Sequence, residues 1–288
     1  MYANGSSDDT VAIWRNTRRA TEIVARADPA HHSSALEKRK RADSLARSSR
    51  IGAALPQGVE YRLWTDALID DYVRTKHPRF YPVFAGMDRH IMRIDIFRYV
   101  LMHDIGGLYC DLDYEFVRPY DYGEASIVFS LEFDVAFGDA QNQVANFFFA
   151  SVPGHPLWRD VLDNLQQYPP HAAESIDVCL VTGPWYLSEI FFRNQSRYEG
   201  VRLTSKPVFS PRRIHGRRER RFYVNSGITY GFHHGWGSWK DRLTFDYLRE
   251  KIYKLVRPEA AAAATSRRYL RVQTLAPRSA PPSSSRRR

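Results

Sequence analysis

The pattern of apolar and polar residues becomes regular from Val59 onward and predicts strands alternating with helices. Residues 59–66, VEYRLWTD, alternate as a strand does, and Thr65 followed by Asp66 is a good helix cap. A helix is predicted over residues 66–76. It should end at the His77-Pro78 pair, because the residue before a proline is disfavoured in helical backbone.

The segment from Met87 to Gly107 predicts a buried helix that leads into a strand. Its apolar residues fall on two separate stripes, and a helix that is apolar on both sides is typical of a protein interior. Gly106 and Gly107 should end this helix, and the strand LYCDLDYEF follows. A helix, a glycine turn and a strand together form one unit of an α/β sheet.

The rest of the chain completes a predicted single-domain α/β fold. Further strands are expected at residues 126–131 and 146–150, and helices at 157–167 and from Pro184 onward. Residues 201–230 are interpreted as short strands. Residues 51–256 would form the domain, with a mixed, mostly parallel central sheet flanked by helices. Residues 1–50 are predicted to form a divergent basic segment with a possible remnant first strand at 10–16, and residues 257–288 a basic, disordered tail.

The net charge of +10 lies in the two ends of the chain. Residues 1–50 carry ten Lys/Arg and six Asp/Glu, and residues 257–288 carry eight Arg and one Glu. Residues 51–256 carry 24 basic and 25 acidic residues, so the domain has no net positive charge, which disfavours nucleic-acid binding. Solvated tails explain the basic ends most simply. A peripheral contact with a membrane surface through these tails is the alternative.

Neither a membrane span nor a signal peptide is predicted. No run approaches the roughly 18 apolar residues of a span, and the first 30 residues lack an apolar core.

Asp111 and Asp113 are the first candidates for chemistry. Side chains at positions i and i+2 of a strand face the same way, so both carboxylates should point out together. Two carboxylates that lie close together repel each other, and a divalent cation removes that cost. Oxygen ligands suit Mg²⁺ or Mn²⁺, which also bind diphosphates. A bare D-x-D is common, and an exposed pair in a turn is the simpler alternative.

The neighbouring helix and a distant loop add further candidates. Asp95 and Arg98 lie three residues apart on the buried helix, either as a simple ion pair or facing a polar cleft. The loop HHGWGSW, residues 233–239, combines two histidines with two tryptophans. A neutral imidazole can be a third metal ligand, and tryptophan is a good platform for a sugar or base ring.

In these motifs the sequence resembles the glycosyltransferases with a DXD-containing sugar-binding region, a family that includes initiating α-1,6-mannosyltransferases and inositol-phosphorylceramide mannosyltransferases. It is more distantly similar to large clostridial glucosylating toxins. The resemblance runs from about Glu60 to Trp239. It rests on the ordered motifs YRLWTD, RIDIFRYVLMHDIGGLYCDLD, NFFFASVPGHP, TGPWYL and HHGWGSW.

The resemblance implies a GT-A fold, a nucleotide-sugar donor, Mn²⁺ with Mg²⁺ as the alternative ion, and transfer with retention of anomeric configuration. Carried over to this chain, Asp95 and Arg98 would contact the donor sugar and diphosphate. Asp111 would lie near the ribose and the metal, Asp113 would be the firmest metal ligand, and Tyr109 would lie beside the donor.

The resemblance also assigns roles to the C-terminal loop. One histidine would complete the metal shell, with His234 favoured over His233. Ser238 and Trp239 would hold the diphosphate.

The chain departs from the family in its first strand. Members usually begin with an Ile-Pro-x-x-Ile-His-x-x-Trp strand that helps to seat the nucleotide base. Here only VAIWRN remains, with Trp14 in the tryptophan position and no histidine.

The predicted function is metal-dependent transfer of a hexose to a glycan or glycolipid acceptor. Mannose from GDP-mannose is favoured over a hexose from a UDP-sugar. The resemblance would place a eukaryotic protein in the Golgi or secretory membranes and any other in the cytoplasm.

Two other functions are weighed. One is a degenerate member that binds a glycan or partner without turnover, and the divergent first strand motivates it. The other is a phosphatase of the Asp-x-Asp nucleophile type. It is disfavoured because Glu115 stands where that class has threonine or valine.

Overall fold

A computed structural model describes residues 10–13, 23–25, 61–111, 113–172, 175–211 and 217–234. The strands are β1 (Thr10–Ile13), β2 (Ile23–Ala25), β3 (Tyr61–Thr65), β4 (Gly107–Cys110), β5 (Tyr114–Phe116), β6 (Ile127–Phe133), β7 (Gln143–Ser151), β8 (Val201–Thr204) and β9 (Gly231–His233). The helices are α1 (Asp66–Lys76), α2 (Tyr81–Ala85), α3 (His90–Asp104), α4 (Pro156–Gln167), α5 (Ser175–Val181), α6 (Pro184–Arg193), α7 (Lys206–Phe209) and α8 (Arg217–Asn225), with short 3₁₀ turns at Val135–Phe137 and Gln195–Arg197.

Seven strands form one mixed sheet in the order β1-β3-β2-β4-β7-β6-β8. Strands β3, β2 and β4 run parallel, and β8 runs parallel to β6, whereas the other neighbours are antiparallel. The predicted α/β fold with a mixed central sheet is therefore confirmed. Parallel and antiparallel pairings occur three times each.

The N-terminal strands occupy distinct places in this sheet. β1 lies at its outer edge, antiparallel to β3. β2 lies between β3 and β4 and runs parallel to both. The strand next to the one that leads to the aspartate motif is therefore Ile23–Ala25. Of the segment predicted at residues 10–16, only Thr10–Ile13 is described.

A second, two-stranded sheet pairs β5 with β9 antiparallel. The chain enters this small sheet shortly after β4 ends, and the sheet pairs residues near 115 with residues near 232.

The large sheet is buried on both faces, because its central strands alternate between two apolar clusters. Tyr109, Phe129 and Phe149 point to the cluster that contains α3, α4 and α6. Leu108 and Val128 point to the opposite cluster, which the small sheet and α7 cover. The sheet is thus a rigid layer between two apolar interiors.

Helix α3 forms the centre of the larger cluster, as its two apolar stripes predicted. Ten of its fifteen residues are buried. Gly106 and Gly107 then turn the chain with φ of 68° and 99°. A Cβ on Gly106 would lie 2.4 Å from the backbone nitrogen of Pro153, so this position requires glycine.

The prediction of short strands over residues 201–230 is wrong beyond β8. Residues 206–209 and 217–225 are helical. The second of these segments, RRERRFYVN, has no period-two alternation, and its arginines and glutamate are good helix formers. Within the described residues, no helix is long and apolar enough to cross a membrane.

Candidate active site

Asp111 and Asp113 lie in the turn between β4 and β5. Strand β4 ends at Cys110, and the amide of Tyr114 donates to the carbonyl of Asp111 over 2.9 Å. The prediction that both aspartates belong to one strand is therefore wrong. They converge because the chain turns from the large sheet into the small one.

The small sheet brings His233 to the two aspartates. Tyr114 of β5 pairs with His233 of β9. The Nε2 atom of His233 lies 3.2 Å from Oδ1 of Asp113 and 3.8 Å from Oδ2 of Asp111. One ligand atom from each of these three residues lies within 4.8 Å of the others, the single such metal-type group among the described residues.

His234 points elsewhere. Its Nε2 lies 3.2 Å from Oε2 of Glu115, while its backbone amide donates to the carbonyl of Asp113 over 3.0 Å. The hydrogen bond from His234 is the largest cause that lowers the pKa of Glu115, and Arg220 lowers it further. The predicted preference for His234 as metal ligand therefore does not match the geometry, which offers His233.

Phe147 of β7 fixes the ring of His233. The two rings stack with centroids 4.0 Å apart and an angle of 14° between their planes. Burial acts to lower the pKa of His233, but the charges of Asp113 and Asp111 outweigh it, and the pKa is raised. The imidazole is thus held in place by an aromatic face on one side and carboxylates on the other.

Asp95 and Arg98 form a buried pair beneath the turn. Each is 2% exposed, and Nη2 of Arg98 lies 2.9 Å from Oδ1 of Asp95. The Nη1 atom of Arg98 donates to the carbonyl of Asn146 and lies 3.7 Å from Oδ1 of Asp111. Arg98 therefore links the interior of α3 to the aspartate turn.

Arg98 keeps its charge despite its burial. Burial acts to lower its pKa, but interactions with Tyr109, Asp95 and Asp111 outweigh this and raise it. Its guanidinium carbon lies 4.7 Å above the centre of the Tyr109 ring. Tyr109 in turn donates its hydroxyl hydrogen to Asp111. The ring is fully buried, so it supports the turn from below.

Two residues that complete this network were not predicted. Asn146 donates from Nδ2 to Oδ1 of Asp95 over 3.2 Å, and Thr182 donates from Oγ1 to Oδ2 over 3.0 Å. Both lie within quoted motifs, and Asn146 is the polar member of the apolar run VANFFFA. A polar residue inside a buried strand must find a partner, which is the signal that could have identified it.

The donor set of Asp111, Asp113 and His233 fits a divalent cation. Adjacent ligands of an octahedral ion, each about 2.1 Å from the metal, lie about 3 Å apart, close to the spacing between His233 and Asp113. Two carboxylates and one imidazole suit Mn²⁺, and the carboxylates alone also suit Mg²⁺. Trp14, Ser238 and Trp239, which were predicted to bind the donor, lie outside the described residues.

Known proteins are similar to part of this chain. Residues 44–129 match the family model described as a glycosyltransferase sugar-binding region containing a DXD motif. The match confirms the resemblance predicted from the motifs. It covers α3, β4 and both aspartates.

Curated relatives agree with the family model. The chain is 30% identical over 135 residues to inositol phosphoceramide mannosyltransferase 1 of Schizosaccharomyces pombe, covering 46% of this chain and 41% of the relative. It is 31% identical over 133 residues to mannosyl phosphorylinositol ceramide synthase SUR1 of Saccharomyces cerevisiae, covering 46% and 33%. The chain thus spans less than half the length of these relatives.

Among solved structures, the PaToxG glycosyltransferase aligns with 43% of this chain and 42% of its own, at 16% identity and a TM-score of 0.30.

Proposed function

We propose that this protein is a metal-dependent glycosyltransferase that moves a hexose from a nucleotide-sugar donor to a glycan or glycolipid acceptor. The observation that carries the proposal is the group of Asp111, Asp113 and His233 lying directly beside the buried charge of Arg98. Such a group suits the diphosphate of a nucleotide sugar, whose negative charge needs a cation and a positive neighbour. The activities for which the relatives are named favour mannose as the sugar and an inositol phosphoceramide as the acceptor class.

In this proposal, Asp111, Asp113 and His233 hold Mn²⁺, with Mg²⁺ as the alternative. When bound, the ion supplies Lewis-acid stabilisation of the leaving diphosphate. Tyr109 fixes Asp111 through its hydroxyl, and Phe147 fixes the ring of His233.

Arg98 adds fixed positive charge where negative charge develops on the donor. Asp95 was predicted to contact the donor itself. We propose instead that it positions Arg98, because its two oxygens accept from Arg98, Asn146 and Thr182. A residue held in this way helps transfer by keeping the guanidinium aligned.

We propose transfer with retention of anomeric configuration, as the family resemblance implies. The bond between the anomeric carbon and the diphosphate oxygen breaks, and the acceptor oxygen bonds to the same face of that carbon. The proton of the acceptor hydroxyl passes to the leaving diphosphate.

The test is turnover of GDP-mannose and of UDP-glucose, UDP-galactose and UDP-N-acetylglucosamine in the presence of Mn²⁺. We expect turnover of one donor that Asp113→Asn lowers by more than about 100-fold, because this change removes the negative charge of a metal ligand and loss of an outer partner alone costs about 10–100-fold. Asp163→Asn is the matched control, since Asp163 is exposed on α4. Full turnover in Asp113→Asn would show that Asp113 does not bind a metal that the reaction needs. Binding of donor and Mn²⁺ without turnover would identify a degenerate binding protein instead.

A further inference from the structure

Helix α8 is fixed to the candidate active site along one side. Arg220 forms an ion pair with Glu115, two residues beyond Asp113, and its guanidinium carbon lies 5.3 Å from the centre of the Phe232 ring. Tyr223 and Val224, on the same side, are partly buried. The turn after the helix then leads directly into β9, which carries His233.

The opposite side of α8 combines positive charge with exposed apolar groups. Arg218, Arg221 and Phe222 occupy positions i, i+3 and i+4, so they share one helix face. All three are exposed. Phe222 is 68% exposed and Ile228, in the following turn, is 55% exposed. These two are the most exposed large apolar side chains of the described residues. The docking face is defined here as Arg218, Arg221, Phe222 and Ile228.

The sequence around this face is strongly basic. Residues 211–225, PRRIHGRRERRFYVN, contain six arginines and one glutamate. Residues 51–256 as a whole carry no net positive charge, so this positive charge is local and not an average property of the domain. Arginines on one helix face with an exposed phenylalanine, followed by a turn with an exposed isoleucine, suit a membrane interface. The apolar groups enter the acyl boundary and the guanidinium groups contact phosphates.

We propose that the docking face binds an anionic lipid surface and holds the site of Asp111, Asp113 and His233 close to that surface. Phe222 and Ile228 are two separate exposed side chains, and Phe222 shares its helix face with Arg218 and Arg221. This mixture of single apolar groups and positive charge suits a fluid anionic interface better than a complementary apolar protein pocket. The docking itself does not depend on enzymatic activity. Presentation of a lipid-linked acceptor by the same surface rests on the proposed function.

The test is co-sedimentation of the full chain with phosphatidylcholine vesicles that contain 0% or 20% phosphatidylserine. We expect binding only to the anionic vesicles. Phe222→Ser combined with Ile228→Ser should weaken that binding by about tenfold, because the two substitutions remove the apolar groups that insert. Arg218→Gln combined with Arg221→Gln should weaken it by a similar factor and reduce its dependence on salt.

Matched controls separate this face from the basic ends of the chain. Leu68→Ser combined with Val152→Ser removes exposed apolar groups elsewhere, and Arg267→Gln combined with Arg268→Gln removes two charges from the C-terminal region. Both should bind the vesicles as the unchanged protein does. If the C-terminal variant loses binding and the docking-face variants keep it, the proposal is overturned.

Two other outcomes would also overturn the proposal. One is that the docking-face variants change only the oligomeric state, measured by light scattering, so that a second copy is the occupant. The other is that RNA binding, and not vesicle binding, depends on these residues. Asp113→Asn should still bind vesicles, so a failure of the proposed catalysis remains distinguishable from a failure of docking.

Discussion

At the scale of single residues, Thr182 shows how the site depends on a group that never reaches its surface. Its hydroxyl is buried and bonds to Asp95, which in turn bonds to Arg98. Removing a buried donor to a charged group weakens the hydrogen bonding of the Asp95 carboxylate, which costs about 1–3 kcal/mol. The loss also frees the guanidinium to move away from Asp111.

We therefore expect Thr182→Val to lower kcat by about tenfold and to destabilise the fold by about 1–3 kcal/mol. Thr204→Val is the matched control, because the Thr204 hydroxyl is also buried but bonds to the carbonyl of Phe129, away from Arg98. Both variants should lose stability in urea, and only Thr182→Val should lose kcat without a matching rise in KM. Equal kcat values in the two variants would contradict a positioning role.

A second residue-scale prediction concerns Asp104, at the end of α3. Partial burial acts to raise its pKa, but hydrogen bonds from His103, His77 and Tyr72 outweigh this and lower it. A carboxylate with a lowered folded-state pKa stabilises the fold fully above its unfolded pKa of about 3.9 and loses this effect as pH falls.

We expect Asp104→Asn to destabilise the protein by about 1–3 kcal/mol at pH 6.5, since it weakens hydrogen bonds to a charged group. The difference in the free energy of unfolding between Asp104→Asn and the unchanged protein should become smaller as pH falls below about 4. Urea unfolding at pH 6.5 and pH 3.5 measures this, with Asp163→Asn as the control. A difference that stays constant over this range would show that the charge of Asp104 is not the stabilising factor.

At the scale of secondary-structure elements, the sequence predicted correctly those features that depend on one element alone. The two-sided apolar pattern of α3 and the Thr65 cap of α1 were correct, and Oγ1 of Thr65 accepts from the amide of Leu68 over 3.3 Å. Pairing between distant segments has no such local signal. The choice of His233 over His234 depends on the register of β9 against β5, which neither strand encodes alone.

The same reason explains the error at Asp111 and Asp113. The alternation of LYCDLDYEF fits one continuous strand, and nothing local marks the change of sheet after Cys110. The two carboxylates do converge, as predicted, but the predicted backbone, one continuous strand, was wrong. The chain turns after Cys110 because β5 pairs with the distant strand β9.

Gly231 gives the element-scale prediction, because it permits the close approach of β9 to β5. A Cβ at this position would lie 2.2 Å from the hydroxyl oxygen of Tyr114, which is buried. We expect Gly231→Ala to displace β9 and so lower Mn²⁺ affinity by about 10–100-fold, as loss of a supporting contact does.

Isothermal titration with Mn²⁺ measures this effect. Gly86→Ala is the control, since Gly86 has an ordinary φ of −77° and its Cβ would approach no atom closer than 3.1 Å. Unchanged Mn²⁺ affinity in Gly231→Ala would show that His233 is not a ligand of the metal.

At the scale of the whole molecule, the seven-stranded sheet is a rigid support and the candidate site lies where the small sheet joins it. Aromatic side chains fill both faces of the large sheet, whereas Asp111, Asp113 and His233 are each only partly buried. A cation that binds only the folded chain stabilises it by mass action.

We expect Mn²⁺ at 100 times its dissociation constant to stabilise the protein by about 2.7 kcal/mol, measured as a rise in Tm that a chelator reverses. Asp113→Asn should show no such rise, and Asp163→Asn should show the full effect. A full rise in Asp113→Asn would mean that the ion binds elsewhere in the chain.

The pairing of β5 with β9 also bears on how the protein folds and opens. Glu115 and His234 are 119 residues apart in sequence, so this sheet closes a long loop, while β6 and β7 are neighbours along the chain. Contacts of such long range are slow to form, and a sheet that only three residues on each side secure is expected to open before the core does. The amide hydrogens of Tyr114 and His233 should therefore exchange with solvent faster than those of Phe129 and Phe149, so the candidate site can come apart while the core stays folded.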